Sequence, residues 1–267
     1  MFRLYSSTEA YRHLPLRDAL ARIAEDGFDG AEVWIEHWWW SEMKPREVKQ
    51  AAAELGLELT VHAAMRDVNL TSTNRGIREL SLQQIIESLA VASEMGAPVV
   101  TVHPGHLTTT KDDPEPGYWE HQIAAFRHIA QEAGRLGPRV GVETMERRPA
   151  EFMLTAEAVI RLLDTVDHPA LGITLDVAHL YSLGDARAYA TGLREIVNLH
   201  ISDAAPGKMH LPIGEGAIDF AADVLRHVAA SGYDGALVVE GTFPGANTEK
   251  SRRNLARMRV LRDEASH

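Results

Sequence analysis

The sequence has 267 residues and no cysteine. This absence excludes disulfide bonds, thiolate nucleophiles, iron–sulfur clusters and zinc sites built on cysteine. Basic residues are also few, because 27 lysines and arginines stand against 38 aspartates and glutamates and leave a formal charge of −11. A broad cationic surface for nucleic acid or anionic lipid is therefore not expected, although a local basic patch is compatible with this balance.

Long apolar runs are absent as well. No stretch approaches the length of a membrane span, and the N-terminal residues MFRLYSSTEA lack the apolar core of a signal peptide, so we expect a cytoplasmic protein without a membrane partner. Hydrophobic residues still make up 45% of the chain, which is enough for a large core and excludes a disordered chain. The unusual number is the thirteen histidines. Without cysteine, a bound metal would be held by histidine, carboxylate and water.

Short apolar, β-branched runs alternate along the chain with longer segments of helical periodicity. Near-continuous apolar runs are typical of parallel strands that are buried on both faces. The candidate strands are 2–6, 31–35, 57–62, 98–103, 139–143, 171–176, 196–200 and 236–240. Helical patterns at 45–56, 78–96 and 118–137 each end at a glycine, which tolerates the left-handed conformation of a helix C-cap. The alternation predicts a single (β/α)8 barrel domain over residues 1–267.

The predicted connections differ in length between the two ends of the barrel. Helix-to-strand connections are short, whereas the strand-to-helix segments 63–77, 104–117 and 201–218 are long and polar. Barrel enzymes build their sites from loops at the carboxyl ends of the strands, so we expect a site there. The loop 104–117 is a candidate for a lid.

Six successive strands end in a side chain that can bind a metal. In order from the third strand to the eighth, they are His62, His103, Glu143, Asp176, His200 and Glu240. A single histidine or glutamate at a strand end is more often a capping or solvated residue, but six in succession are hard to attribute to chance. In a closed barrel the six side chains converge on one mouth. Histidines and carboxylates without thiols suit Zn, Mn, Co or Mg.

Several short motifs occur in an order that resembles one known family. They are VHA at 61–63, VHPG at 102–105, VET at 142–144, LDVAH at 175–179, LHISD at 199–203, IGEGAIDF at 213–220 and VVEG at 238–241. Over nearly the whole chain, this order resembles the xylose isomerase-like TIM barrels. That superfamily contains sugar and sugar-phosphate isomerases and epimerases together with the endonuclease IV-related enzymes of AP endonuclease family 2.

The resemblance implies particular metal ligands. One set matches the residues that hold the single divalent ion of the sugar isomerases and epimerases: Glu143, Asp176, His200 and Glu240. Four histidines match positions that hold additional zinc ions in the nuclease branch: His62, His103, His179 and His210. The resemblance therefore implies one divalent ion, with a second ion left open.

One position departs from the nuclease pattern, which has an aspartate two residues before the last of these histidines. This chain has Lys208 there, and a protonated lysine cannot ligate a cation and would repel it. Lys208 suits an anionic group of a substrate, such as phosphate or carboxylate, and equally well suits a solvated loop. His179 could then contact the substrate, as its counterpart does in the epimerases, or orient a metal ligand.

The chemistry of sugar isomerases explains the carboxylates. A proton must leave a carbon beside a carbonyl, and a divalent metal bound to the substrate oxygens stabilises the resulting enediolate. Glu143 and Glu240 come from the fifth and eighth strands and could address opposite faces of that enediolate, so they are the candidate acid/base pair. Transfer between opposite faces gives epimerisation, and transfer on one face between adjacent carbons gives isomerisation. Asp176 and His200 would serve only as ligands.

Further candidates for substrate contacts lie after the second and fifth strands. Trp34 could stack on a sugar ring, although the aromatic segment 37–40 that follows could equally form an interface in a homo-oligomer. Glu36 could contact substrate hydroxyls, but a solvated carboxylate is the commoner situation. Arg147 could bind an anionic group, and exposed loop arginines are also common.

Three hypotheses follow from these residues. The leading one is a metal-dependent isomerase or epimerase of a small sugar or sugar phosphate. The alternative is an endonuclease IV-like zinc phosphodiesterase acting on abasic DNA, which the additional histidines favour and Lys208 and the acidity of the chain disfavour. The third is a catalytically silent barrel that binds a metabolite or a partner.

Overall fold

The computed structural model describes residues 1–108, 117–184, 186–241 and 248–265. Its centre is a closed barrel of eight parallel strands. The barrel strands are β1 (Arg3–Ser7), β2 (Gly30–Trp34), β3 (Glu58–His62), β4 (Val99–Val102), β5 (Arg139–Glu143), β6 (Leu171–Asp176), β7 (Ile196–Ile201) and β10 (Ala236–Val239). Around the barrel they lie in the order β1-β10-β7-β6-β5-β4-β3-β2. An antiparallel hairpin, formed by β8 (Asp203–Ala205) and β9 (Lys208–Leu211), follows β7.

A helix follows each barrel strand in the outer ring. In chain order these are α1 (Leu16–Asp26), α3 (Pro45–Glu54), α4 (Arg75–Met95), α5 (Tyr118–Leu136), α6 (Ala156–Val166), α8 (Ala186–Thr191), α9 (Ala221–Ala230) and α10 (Thr248–Ala265). Short helical turns come directly after three strands: a 3-10 turn (Thr8–Tyr11), α2 (Ile35–Trp39) and α7 (Val177–Tyr181). The predicted (β/α)8 barrel is therefore confirmed.

Local signals set the helix boundaries. The side chain of Asn74 accepts the backbone N–H groups of Gly76 and Ile77, so α4 begins three residues earlier than its apolar pattern predicts. The same helix ends at Gly96, whose φ of +75° is the left-handed conformation expected of a C-cap glycine. The predicted lid loop 104–117 lies mostly outside the described residues, because 109–116 are not among them.

The two faces of the strands have different chemistry. Outward-facing residues such as Val33, Val61 and Val100 are fully buried against the helices, where each apolar side chain of this size contributes about 1.5–3 kcal/mol. The barrel interior instead holds a polar layer below the mouth, made of Glu32, Thr60, Thr101, Thr174 and Asn198. Thr101 on β4 bonds Thr174 on β6, and Asn198 on β7 bonds Glu32 on β2. These pairs of strands are not neighbours in the sheet, which places the side chains inside the barrel.

The helical ring shows no membrane-spanning character in the residues described. None of its helices there combines the length and the apolar composition that a bilayer crossing requires.

Candidate metal centre

Four predicted ligands meet at the mouth of the barrel and form what we name the central cluster. Its members, each offering an atom within 4.8 Å of the others, are Glu143, Asp176, His200 and Glu240. Glu143 and Asp176 are the last residues of β5 and β6, and His200 is the penultimate residue of β7. Glu240 directly follows β10, which ends one residue earlier than the sequence predicts. The parallel barrel brings these positions together because all carboxyl ends of its strands share one rim.

The central cluster leaves carboxylate oxygens without donors. Oδ1 of Asp176 accepts the N–H of His179 at 2.8 Å, but its Oδ2 is buried and has no hydrogen-bond partner among the described residues. Nδ1 of His200 lies 3.1 Å from Oε1 of Glu143 and 2.8 Å from Oε2 of Glu240. A single N–H cannot point at both carboxylates, and Oε2 of Glu240 has no aligned donor in the described part of the chain.

These unpartnered oxygens test whether the residues fit a cation. Burying an ionised carboxylate without a donor or a counter-charge is costly, and the central cluster holds three carboxylates around one imidazole. A divalent ion would supply the missing positive charge to the orphaned oxygens. One histidine nitrogen and three carboxylates form a donor set suited to Zn, Mn, Co or Mg. The residues therefore fit a divalent ion.

The electrostatics of the central cluster agree with this fit. Burial alone would raise the pKa of Glu143, but the neighbouring His103 and His200 hold it well below its usual range. Burial would also raise the pKa of Glu240, and His200 instead lowers it to about 2. Burial lowers the pKa of His200, but Glu32, Glu240 and Glu143 raise it well above the usual value. A protonated His200 thus provides the positive charge that a bound ion would replace.

A second group, which we name the inner histidine cluster, consists of His62, His103 and Glu143, and it shares Glu143 with the central cluster. Oε2 of Glu143 lies 3.3 Å from Nε2 of His62 and 2.8 Å from Nε2 of His103. Nδ1 of His62 contacts the carbonyl of Ala63 at 2.9 Å, so the ring is oriented with Nε2 toward the carboxylate. His103 follows directly after β4, and its side chain is 23% exposed.

A third group, the outer histidine cluster, consists of Asp176, His179 and His210. Nδ1 of His179 lies 2.7 Å from the carbonyl of Thr144, and its Nε2 lies 3.2 Å from Nε2 of His210. His210 has a φ of +53°, a left-handed conformation that non-glycine residues seldom adopt. Lys208, in the same strand β9, is exposed.

Sequence reasoning missed two carboxylates beside the outer histidine cluster. Glu146 is buried in the loop after β5, where Oε2 lies 3.3 Å from Nε2 of His179 and the other oxygen pairs with Arg148. Burial, reinforced by the charge of Glu146, raises the pKa of Glu151 to about 7. The sequence offered one signal for Glu146, which is its position three residues after Glu143, a predicted ligand at a strand end.

The remaining predicted residues lie at different depths around the mouth. Trp34 is buried at the end of β2, with the guanidinium of Arg66 4.7 Å from its ring centroid. Glu36 is also buried, and its Oε1 accepts the backbone N–H groups of Met65 and Arg66. The solvated carboxylate considered for Glu36 is therefore wrong, because α2 turns it under the loop after β3.

Arg147 is directed away from the central cluster. Its guanidinium contacts the carbonyls of Ser182 and Leu183 at 3.3 and 3.4 Å, just after α7. These contacts tie the loop after β5 to the loop after β6.

Comparison with known proteins gives the family of the chain. Residues 20–261 match the xylose isomerase-like TIM barrel family. Among solved structures, a D-tagatose 3-epimerase-like protein superposes with a TM-score of 0.87 and 25% identity, with 100% of both chains covered. The fold is thus shared over its whole length with a protein named for its likeness to a sugar epimerase.

Two curated relatives are similar at the level of sequence. A probable endonuclease 4 of Mycobacterium bovis is 28% identical over 220 residues, which are 78% of this chain and 83% of the relative. A 3-dehydroshikimate dehydratase of Pseudomonas putida is 27% identical over 256 residues, and the match spans 90% of this chain but only 38% of the dehydratase. The relatives therefore differ in the reactions for which they are named, while the family match extends over most of the sequence. This protein belongs to the xylose isomerase-like TIM barrel family.

Proposed function

We propose that the protein is a divalent-metal-dependent isomerase or epimerase of a sugar or sugar phosphate. The observation that carries the proposal is the central cluster, in which Nδ1 of His200 lies between the carboxylates of Glu143 and Glu240. The likeness to a D-tagatose 3-epimerase-like protein over the whole chain supports the same reaction class. The four residues of the central cluster would hold the ion.

A divalent ion held there would polarise a substrate carbonyl and stabilise the negative charge of an enediolate. The chain's own residues would move the protons. β5 and β10 are separated in the closed sheet by β6 and β7, so Glu143 and Glu240 approach the centre from different sides of the barrel. One carboxylate would take the proton from the carbon beside the carbonyl, and the other would return a proton. Their low pKa values keep both groups ionised at neutral pH, as the group that takes the proton must be, and the group that returns a proton must first take one from solvent.

Exposure indicates the side from which a substrate enters. The side chain of Glu240 is 15% exposed, whereas that of Glu143 is 1% exposed and contacts His103 and His62. A substrate would therefore meet Glu240 first and lie between it and the deeper carboxylate. The buried position of Glu143 excludes bulk water from the reacting carbon, which protects an enediolate from side reactions.

Hydrogen exchange tests the proposal. Metal-loaded protein is incubated in deuterated water with a panel of ketoses, both free and phosphorylated, and the recovered sugars are examined by NMR and mass spectrometry. We expect deuterium at the carbon beside the carbonyl of at least one sugar. Glu143→Gln and Glu240→Gln should each abolish it, while Glu42→Gln, an exposed change, should not. A panel in which no sugar gains deuterium would overturn the proposal.

Zinc-dependent cleavage of abasic DNA is the second candidate function. The inner and outer histidine clusters favour it, because together with the central cluster they form three groups of ligands that could hold an ion. The similarity to a probable endonuclease 4 favours it too. Lys208 and the net charge of −11 count against it. Incision of a duplex with one abasic site, together with three zinc ions per chain, would place this function first. We expect neither.

A further inference from the structure

The polar layer inside the barrel contains a carboxylate that the proposed chemistry does not use. Glu32 lies on β2 and is 0% exposed. Its Oε2 accepts hydrogen bonds from Oγ1 of Thr60 at 3.0 Å and from Nδ2 of Asn198 at 2.8 Å. In the described part of the chain it forms no ion pair with a lysine or arginine. A buried carboxylate without a permanent cation is costly, so its retention requires a specific partner.

That partner is the histidine of the central cluster. Oε1 of Glu32 lies 3.0 Å from Nε2 of His200, within ion-pair distance but without hydrogen-bond alignment, and no described donor forms a hydrogen bond to this oxygen. On the opposite edge of the same ring, Nδ1 faces Glu143 and Glu240. His200 is therefore placed between a carboxylate below, which can only accept a proton, and the candidate metal centre above.

The neighbours of Glu32 fix the direction of these hydrogen bonds. A carboxylate cannot donate, so the amide of Asn198 must present Nδ2 to it, and Nδ2 also contacts Oγ1 of Thr101 at 3.0 Å. Nδ2 of Asn198 also lies 3.3 Å from Nε2 of His200, but its two hydrogens are taken by the shorter bonds to Glu32 and Thr101. Glu32 is thus the group in the described polar layer that can accept a hydrogen bond from Nε2 of His200.

We infer that Glu32 is a positioning residue that keeps the proton of neutral His200 on Nε2 and so leaves Nδ1 free for a divalent ion. The inference rests on the proposed metal centre. It explains why a charge is buried in the barrel core: the carboxylate both selects the tautomer and makes the imidazole a stronger ligand.

The isosteric variant Glu32→Gln gives the sharpest test. With Asn198 still presenting Nδ2, the glutamine turns its oxygen toward Asn198 and its NH2 group toward His200. Nε2 of His200 then has to accept, and its proton moves to Nδ1, where it blocks the ion. Because glutamine and glutamate have the same shape, a loss of metal affinity in this variant reports the tautomer of His200 and not altered packing of the core. Thr174→Val is the matched control, because Thr174 belongs to the same layer and bonds Thr101 without touching Glu32.

The experiment measures Mn²⁺ and Zn²⁺ affinity of the full chain by calorimetry, the melting temperature without metal, and the tautomer of His200 in the zinc-loaded protein by ¹⁵N NMR. We expect Glu32→Gln to weaken metal binding about 10–100-fold, the range for partners of metal-ligating histidines. We expect Thr174→Val to leave the affinity within about threefold of the wild type. The wild-type spectrum should show the proton on Nε2.

A second variant keeps the inference falsifiable if the glutamine variant does not fold. Glu32→Asp retains the acceptor but draws it back by one methylene, so it should weaken metal binding less than glutamine does, or retain binding where glutamine abolishes folding. Affinity equal to the wild type in Glu32→Gln, or a larger loss in Glu32→Asp than in Glu32→Gln, overturns the inference alone. A wild-type chain that binds neither ion overturns the proposed function, and the inference with it.

Discussion

Nε2 of His179 lies 3.2 Å from Nε2 of His210. Two N–H groups cannot face each other at this distance, so at least one of the two nitrogens presents a lone pair. Burial lowers the pKa of His179, but the carboxylates of Asp176, Glu143 and Glu146 raise it to about 9. At neutral pH a protonated His179 can therefore donate to His210, and a proton occupies the position that a cation would take.

The identity of residue 208 should decide whether this pair binds an ion. Lys208→Asp replaces an ammonium with the carboxylate that the nuclease pattern has two residues before the histidine. We expect the zinc content of dialysed protein, measured by elemental analysis, to rise by about one ion per chain. Lys208→Gln removes the positive charge without adding a ligand and should leave the zinc content unchanged. Equal zinc contents in Lys208→Asp and the wild type would contradict this prediction.

The inner histidine cluster should be dispensable for the central ion. His103→Gln removes one contact of Glu143 but leaves all four members of the central cluster in place. We expect Mn²⁺ still to bind with an affinity within about tenfold of the wild type, whereas His200→Gln should lose binding by at least about 100-fold. Isothermal titration of both variants checks this. The interpretation fails if the His103 variant loses the ion as completely as the His200 variant.

Metal binding should release a proton. The carboxylates around His200 raise its pKa well above the usual value, although burial opposes this, so the ring is protonated at neutral pH without metal. An ion that takes Nδ1 must displace that proton, and apparent affinity should therefore rise with pH by up to about tenfold per unit between pH 6 and 8. Calorimetry in buffers of different ionisation enthalpy counts the protons. A count of zero with an affinity independent of pH would argue against ligation by His200.

Glu151 should make the fold less stable at higher pH. Burial and the charge of Glu146 raise the pKa of Glu151 from 4.5 to about 7. Between these values the unfolded chain has already lost the proton that the folded chain keeps, so the free energy of unfolding falls as pH rises. Glu151→Gln removes this loss. The melting temperature of the variant, relative to the wild type, should therefore be higher at pH 8 than at pH 5 by about 2–4 °C, which corresponds to about 1 kcal/mol of unfolding free energy.

A matched variant controls for charge alone. Glu42 is exposed, and Glu42→Gln should shift the melting temperature equally at both pH values. If the difference in melting temperature between Glu151→Gln and the wild type is the same at pH 5 and pH 8, the carboxyl of Glu151 does not titrate in this range and the prediction is wrong.

Much of the fold and of the central cluster could be predicted from the sequence. Apolar runs separated by helices of regular length predict the closed parallel barrel, and closure alone brings together residues as distant in sequence as His62 and Glu240. The strand-end rule needs no knowledge of loop conformation, because parallel strands present their carboxyl ends at one rim. For the same reason, errors of one residue at the ends of β4 and β10 left His103 and Glu240 at the mouth.

Positions that depend on loops and on strand phase were harder to predict. Glu36 is buried because the short helix α2 turns it under the loop after β3, a path that no local pattern specifies. Glu146 contacts His179 only because the loop after β5 packs against the short helix α7. The inward direction of Glu32 could in principle have been predicted, because side chains alternate along a strand and the inward position of Trp34 fixes the phase of β2. A lone glutamate in an apolar strand gave no indication of its partner across the barrel.

The most direct test is the anomalous scattering of crystals grown or soaked with Mn²⁺. We predict one strong anomalous peak bounded by Glu143, Asp176, His200 and Glu240, with Nδ1 of His200 as the nitrogen ligand. Mn²⁺-rich crystals with no peak at that position, or with the four side chains pointing apart, would contradict the proposed chemistry.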